Sequence, residues 1–273
     1  MSVNELLRPS ARNEAEDKPY YLPSGQEVSI FEQCHDRNLA VMLKGPTGCG
    51  KTRFVEYMAW RLGRPLVTIA CHDDLTASDL VGRYLISHEG TVWKDGPLTR
   101  AVREGAICYL DEVVEARQDT VVILHALTDH RRILPLDKTG ETLQAAPGFQ
   151  LVVSYNPGYQ RMLKDLKPST RQRFVALDLD FPPPEQEAAI VARESGSNDA
   201  TARTLVELGH RIRALQDRGL PEVPSTRLLI ATASLINMGV APREACYAGL
   251  VSPLSDEESL VGAMRDLVDL TFV

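Results

Sequence analysis

The pattern of apolar and polar positions divides the chain into two parts. In the first part, short apolar runs rich in β-branched residues alternate with stretches of helical period. Each run predicts a buried strand. The five runs stand at 39–43, 66–70, 106–110, 149–155 and 174–180. Buried strands joined by helical crossovers predict an α/β fold with a five-stranded, mostly parallel sheet covered on both faces.

The segments between these strands carry further patterns. After the first strand, the apolar positions recur at helical spacing and predict an amphipathic helix: Phe54, Val55, Met58, Ala59 and Leu62. Residues 119–130 also have a helix-like pattern, and 133–145 predicts a hairpin that turns at Lys138, Thr139 and Gly140.

The triple proline Pro182 to Pro184 marks a change of pattern, because everything after it predicts helices. One stripe is formed by Leu205, Leu208, Ile212 and Leu215, a second helix spans 226–239, and two more start near Pro242 and Asp256. We therefore expect a flexible N-terminal arm (1–19), an α/β domain (20–182) and a small C-terminal α-helical lid domain (183–273).

Composition narrows the class of protein. The 273 residues are 44% hydrophobic and 25% charged, which is typical of globular proteins, and the net charge is -7. An acidic chain is not expected to grip nucleic acid or anionic lipid, and no run of 18 apolar residues predicts a membrane span. The five cysteines are scattered without metal-binding spacing: Cys34, Cys49, Cys71, Cys108 and Cys246. We expect a cytoplasmic protein with reduced thiols.

The first candidate site is GPTGCGKT, which follows the first strand directly. It fits G-x-x-x-x-G-K-[ST] at every fixed position and comprises Gly45, Pro46, Thr47, Gly48, Cys49, Gly50, Lys51 and Thr52. In such a loop, backbone N–H groups surround phosphates, the lysine reaches the β and γ oxygens, and the threonine hydroxyl binds Mg²⁺. The sequence thus predicts ATP and Mg²⁺ as ligands, with strand and helix in the required order.

A second acidic motif indicates what the phosphates are used for. The third strand ends at Asp111, which is placed to bind Mg²⁺ together with Thr52, and Glu112 follows it. A carboxylate beside the metal ligand suits a general base that activates water. Asn156 ends the next strand and is placed to orient that water. The chain lacks the guanine-reading N-K-x-D of GTPases, and a small-molecule kinase would not need Glu112.

Together these motifs carry a family resemblance. GPTGCGKT, YLDEV, SYNPG, PSTRQRF and PSTRLL resemble the Walker A, Walker B, sensor 1, arginine-finger and sensor 2 motifs of MoxR-type AAA+ ATPases. The resemblance runs from about Tyr20 to the end and is greatest to the CbbQ/NirQ/NorQ branch, in particular to its rubisco-activase ATPases. It implies a P-loop AAA+ core that hydrolyses ATP with Mg²⁺.

The resemblance also implies an assembly and further site residues. Members form homo-hexameric rings, so Arg173, or Arg171 as the other candidate, would reach into a neighbour's nucleotide, and Arg227 would act from the lid. The insert ending near Trp93 and the hairpin at 133–145 would lie near the ring's centre, with Leu80 to Leu85 and Tyr84 as candidates for substrate or pore contact. A von Willebrand factor A-type adaptor (CbbO-like) would bring the ring to inhibited rubisco, which would lose its bound sugar phosphates.

Alternative functions stay open. The sister NirQ/NorQ proteins would instead mature a nitric oxide or nitrite reductase with a different adaptor, and a gas-vesicle ATPase is a more distant alternative. From other classes, a DNA-associated ATPase conflicts with the acidic balance and with the absence of a basic DNA-binding motif. A nucleotide-gated binding scaffold that hydrolyses little ATP is disfavoured by the presence of Glu112 and Arg173.

Overall fold

The computed structural model of the protein describes residues 18–88, 90–157 and 166–272. The arm expected at 1–19 lies outside the described residues, apart from its last two. The strands are β1 (Val41–Lys44), β2 (Leu66–Ala70), β3 (Gly82–Ser87), β4 (Gly90–Asp95), β5 (Ile107–Asp111), β6 (Ile133–Leu136), β7 (Glu141–Gln144), β8 (Gln150–Tyr155) and β9 (Val175–Asp178).

The helices divide between the sheet region and the C-terminal region. Around the sheet are α1 (Glu27–Asp36), α2 (Lys51–Arg61), α3 (Ala77–Val81), α4 (Pro97–Glu104), α5 (Gln118–Val122) and α6 (Pro168–Arg171). The C-terminal region has α7 (Pro184–Ser195), α8 (Asp199–Arg213), α9 (Thr226–Asn237), α10 (Pro242–Cys246), which runs into a π-helical segment, and α11 (Glu258–Thr271).

The five predicted runs form one sheet in the order β2-β5-β8-β1-β9, with every neighbouring pair parallel. Successive side chains of a strand point to opposite faces, so each strand contributes to two cores. Val41 and Leu43 of β1 pack in one core cluster, whereas Met42 between them packs in the other. This confirms the prediction of an α/β fold with a parallel sheet buried on both faces.

Two small hairpins lie outside the main sheet. β3 and β4 pair antiparallel directly after α3, and β6 and β7 form the hairpin expected at 133–145. Tyr84 and Leu85 on β3 are 47% and 38% exposed, as surface contact requires. The prediction was wrong for Leu80, because its side chain is fully buried in the core beneath α3.

The helix predicted over 119–130 is shorter than expected. α5 stops at Val122, and a 3₁₀ segment covers Ile123–Leu127. The helices expected after the triple proline are confirmed and enclose an apolar core of their own, to which α7, α8, α9 and α11 contribute.

Candidate functional site

The phosphate loop connects β1 to α2 in a conformation that only glycine tolerates at several positions. Gly48 and Gly50 have φ of 70° and 101°, the left-handed region that side chains rarely adopt. A Cβ at Gly45 would collide with the Leu179 carbonyl oxygen, and one at Gly48 would lie 2.5 Å from Ser225 Cβ. The loop is therefore packed between the end of β9 and the C-terminal helical region.

Polar groups of the loop converge on its centre. The Lys51 ammonium group donates to the carbonyl oxygens of Gly45 and Pro46 at 2.9 Å each, which holds the positive charge across the loop. Thr52 Oγ1 lies 3.5 Å from Asp111 Oδ2. A hydroxyl and a carboxylate at this separation are oxygen ligands of the kind that Mg²⁺ prefers, so the pair fits the ion. The loop thus carries groups suited to phosphates, and Thr52 with Asp111 offers oxygen ligands suited to Mg²⁺.

Asp111 is held by hydroxyl groups from both sides. Its Oδ1 accepts hydrogen bonds from Tyr109 Oη at 2.6 Å and Ser154 Oγ at 2.5 Å. Burial, followed by the bond to Asp111, raises the pKa of Tyr109 far above its usual value, so the phenol stays protonated and donates. Ser154 also accepts the backbone N–H of Glu112 at 3.1 Å. Sequence reasoning missed both hydroxyl residues, because they occupy positions that the strand pattern assigns to the core.

Glu112 has an unusual backbone. Its φ of 54° and ψ of 50° lie in the left-handed region, which costs a non-glycine residue about 1–2 kcal/mol. Residues other than glycine and asparagine that adopt the left-handed conformation concentrate at functional sites. The conformation turns the chain sharply after β5 and keeps Glu112 beside the cavity next to Asp111.

An open cavity of about 840 Å³ adjoins the phosphate loop and is lined by four parts of the chain. These are the segment before and within α1, the loop with the end of β9, the end of β5, and α7 with α9 of the helical region. Apolar side chains at some distance in sequence contribute: Tyr21, Leu22, Ile30, Phe181, Ile190 and Ile230. No local sequence signal marks these residues, because only the tertiary fold brings them together. Their apolar surface suits a nucleotide base.

The remaining predicted site residues fall into two groups. Arg227, in the first turn of α9, lines the cavity, and the Asn156 amide donates to the Thr47 hydroxyl at 3.2 Å. Arg171 is exposed and Arg173 half-buried, and neither belongs to the described lining of this cavity. Arg173 Nη1 donates to the His125 carbonyl at 3.4 Å, whereas its buried Nε has no partner within the described part of the chain.

Two of the five cysteines lie at or near the site. All five are buried and none forms a disulfide. Burial raises the pKa of Cys71, which lies near Asp111 and Glu112, to about 12, and burial also raises the pKa of Cys49 in the phosphate loop. Both remain neutral thiols near pH 7.

Comparison with known proteins agrees with the geometry. Residues 40–174 match the AAA domain (dynein-related subfamily), and residues 187–271 match the CbbQ/NirQ/NorQ C-terminal family. Protein CbbQ of Hydrogenophilus thermoluteolus is 59% identical, over 93% of this chain and 96% of its own. The denitrification regulatory protein NirQ of Pseudomonas aeruginosa is 62% identical over 92% and 97%. Protein NorQ of Paracoccus denitrificans is 60% identical over 95% and 96%.

Solved structures share the fold at much lower identity. A point mutant of RuvB from Thermotoga maritima superposes with a TM-score of 0.53 at 17% identity, covering 90% of this chain and 71% of that one. NtrX from Brucella abortus in complex with ADP gives a TM-score of 0.52 at 15% identity, covering 92% and 61%. None of the helices in the described ranges is long and apolar enough to cross a membrane. The chain belongs to the CbbQ/NirQ/NorQ family and is an AAA+ ATPase, an enzyme that hydrolyses ATP.

Proposed function

We propose that the chain is the motor of a homo-hexameric ring that uses ATP hydrolysis to remodel a target protein. The observation that carries the proposal is the division of the candidate catalytic groups. The phosphate loop, Glu112 and Arg227 surround one cavity, whereas Arg171 and Arg173 stand apart from it. An arginine that stands apart from the site of its own subunit can act on the transferring phosphoryl group at the site of a neighbouring subunit.

Within one subunit, each residue has a distinct task. Lys51 and the loop amides hold the phosphates, and Thr52 with Asp111 would hold Mg²⁺, which neutralises charge on the β and γ phosphates when bound. Glu112 accepts the proton of the attacking water as a general base. Asn156, anchored to Thr47, orients that water. Arg227 contacts the nucleotide from the helical region and so links the position of that region to the state of the site.

The shared-site proposal is tested by mixing two inactive variants. Lys51→Ala removes phosphate binding, and Arg173→Ala removes the group that acts on the neighbour. In mixed rings, some wild-type-like sites form between an intact phosphate loop and an intact Arg173 of the adjacent subunit, so ATPase activity should return. No activity at any mixing ratio would overturn the trans role of Arg173, and the same experiment with Arg171→Ala decides between the two arginines.

The proposed target is inhibited rubisco, reached through a von Willebrand factor A-type adaptor of the CbbO kind. Support comes from the 59% identity to Protein CbbQ. Activation of a nitric oxide or nitrite reductase is the second candidate, and the 62% and 60% identities to NirQ and NorQ support it equally well.

We place the motor in the cytoplasm, with residues 20–182 and 183–273 as its two domains.

Reconstitution with purified components separates the two targets. The ATPase and the adaptor from the same source are mixed with rubisco that carries a tight sugar-phosphate inhibitor, and ATP-dependent recovery of carboxylation is measured. Recovery with wild type, together with failure with Glu112→Gln, supports the rubisco target. Failure of both, together with ATP-dependent activation of the reductase, would replace rubisco by the reductase.

A further inference from the structure

A buried carboxylate ties three helices of the C-terminal region together. Glu187 of α7 is fully buried, and its two oxygens accept a bidentate pair of bonds from Arg213, the last residue of α8, at 2.7 and 2.8 Å. Glu187 Oε1 also accepts the Thr226 hydroxyl, in the first turn of α9, at 2.6 Å. His210 of α8 lies 3.5 Å from the other oxygen. We call Glu187, Arg213 and Thr226 the lid triad.

The lid triad contacts the wall of the cavity through Arg213 and Phe181. The Arg213 guanidinium lies 3.9 Å above the centre of the Phe181 ring, and Phe181 lines the cavity at the point where the chain leaves the sheet region. Arg213 Nε donates to the Pro224 carbonyl at 2.9 Å, in the segment that leads into α9. Each nitrogen of this planar group thus donates a hydrogen bond: two bonds join α8 to α7, and the third joins α8 to the segment before α9.

The first turn of α9 is the part of the helical region that meets the phosphate loop. Ser225 caps this helix by accepting the Leu228 N–H, and it packs so closely on Gly48 that no side chain fits there. Thr226, bound to Glu187, is followed by Arg227, which lines the cavity. A shift of the triad would therefore move both Ser225 and Arg227 relative to the phosphates.

We propose that the lid triad positions Arg227: the bidentate Glu187–Arg213 pair and its bond to Thr226 hold the first turn of α9 at the distance from which Arg227 grips ATP. Glu187 and Arg213 are positioning residues, since neither lines the cavity in the described part of the chain. The inference rests on the proposed contact of Arg227 with the nucleotide.

A buried ion pair is a poor source of stability, because the desolvation of two charges offsets most of their attraction. It does fix geometry, since a guanidinium fork and a carboxylate match in only a narrow range of orientations. The lid triad has this character: both partners are buried or nearly so, with side-chain exposures of 0% and 11%. Its contribution should therefore appear in the placement of α9.

The test is a double-mutant cycle on ATP affinity, measured by equilibrium binding of a fluorescent ATP analogue, which needs neither adaptor nor target. Arg213→Lys keeps the charge and removes the fork and the ring contact, so it should weaken binding about tenfold, or about 1.4 kcal/mol. In an Arg227→Ala background the same substitution should have no further effect, because coupled residues are not additive. Arg211→Lys is the matched control, since Arg211 pairs with Glu207 on the exposed face of the same helix.

The outcomes test the ATP contact of Arg227 and the positioning role of the lid triad separately. If Arg227→Ala leaves ATP affinity unchanged, the proposed role of Arg227 fails. If Arg227→Ala weakens binding but Arg213→Lys does not, or if the two effects add, the positioning role of the triad is overturned. Should Arg213→Lys fail to fold, the paired change Glu187→Leu with Arg213→Met keeps the packing and removes both charges, a replacement that folded proteins often tolerate. It should fold and show the same loss; unchanged affinity would overturn the proposal.

Discussion

The hydroxyl of Ser154 lies between the two acidic residues of the site, donating to Asp111 Oδ1 at 2.5 Å and accepting the Glu112 N–H at 3.1 Å. Ser154 belongs to β8, the strand that ends next to Asn156, whereas Asp111 ends β5 and Glu112 follows it. The hydroxyl thus links neighbouring strands at the edge where the phosphates bind. Movement of β8 would be transmitted directly to Asp111 and Glu112, the proposed metal ligand and the proposed general base.

We predict that Ser154→Ala lowers kcat for ATP hydrolysis about 10- to 100-fold, because misplacement of catalytic groups by about 1 Å can cost 10²-fold. The free energy of unfolding should fall by about 1–3 kcal/mol, since the Glu112 N–H loses its acceptor and the half-buried Asp111 carboxylate loses a donor. Steady-state ATPase assays and denaturant titration measure the two effects. Ser234→Ala is the control, because Ser234 bonds only to a carbonyl within α9 in the described structure. Unchanged turnover in Ser154→Ala would contradict the link.

The local part of the site was predictable from sequence. The phosphate loop, Asp111 and Glu112 are adjacent to strands that apolar runs reveal, and glycine positions report the backbone directly. Asn156 was predictable as a strand-end residue, and its bond to Thr47 places it at the loop. These features depend on sequence neighbours and on the rule that parallel strands present their carboxyl ends to ligands.

The non-local part was not predictable. Ser154 became a partner of Asp111 only because β8 inserts between β5 and β1, a strand order that no single segment encodes. Likewise, Glu187 and Arg213 have the spacing of ordinary surface charges, and their burial follows from the packing of α7, α8 and α9. Leu80 shows the converse error: it belongs to a contact segment by sequence, but its side chain faces the core.

At position 112, glutamate should be needed for activity but should lower the stability of the fold. Its left-handed backbone is strained for glutamate and relaxed for glycine, so Glu112→Gly should raise the free energy of unfolding by about 1 kcal/mol while ATP turnover is lost. Glu112→Gln should bind ATP without turnover and without the gain in stability. Glu115→Gly, in the adjoining 3₁₀ turn, is the control and should destabilise by about 0.5–1 kcal/mol. A Glu112→Gly protein less stable than wild type would show that no strain is stored there.

Arg103 should couple the two hairpins, β3–β4 and β6–β7. From the end of α4 it donates to Asp95 at the end of β4 and, through both terminal nitrogens, to Glu141 at the start of β7. Arg103→Leu should let the hairpins open independently, which hydrogen exchange detects as faster exchange of the β4 and β7 amides. Arg100→Leu, at an exposed position of the same helix, should leave exchange unchanged. Equal exchange in Arg103→Leu and wild type would mean that backbone pairing alone holds the hairpins.

His125 should make the protein less stable in acid. Burial, with smaller contributions from Arg173 and Lys167, lowers the pKa of His125, and its Nε2 lies 3.0 Å from the Thr170 hydroxyl. Below about pH 6.5 the unfolded chain binds a proton at this position that the folded protein does not, so the free energy of unfolding falls as the pH is lowered and levels off below the folded pKa.

Denaturant titrations between about pH 5 and pH 8 measure this dependence. His125→Gln keeps an amide that can pair with Thr170 but cannot titrate, so the slope of stability against pH below about 6.5 should be smaller than in wild type. Part of the slope should persist, because burial also lowers the pKa of His35. His130→Gln, at an exposed position nearby, is the matched control. If His125→Gln and wild type have the same slope, the His125 ring does not carry the acid sensitivity of this segment.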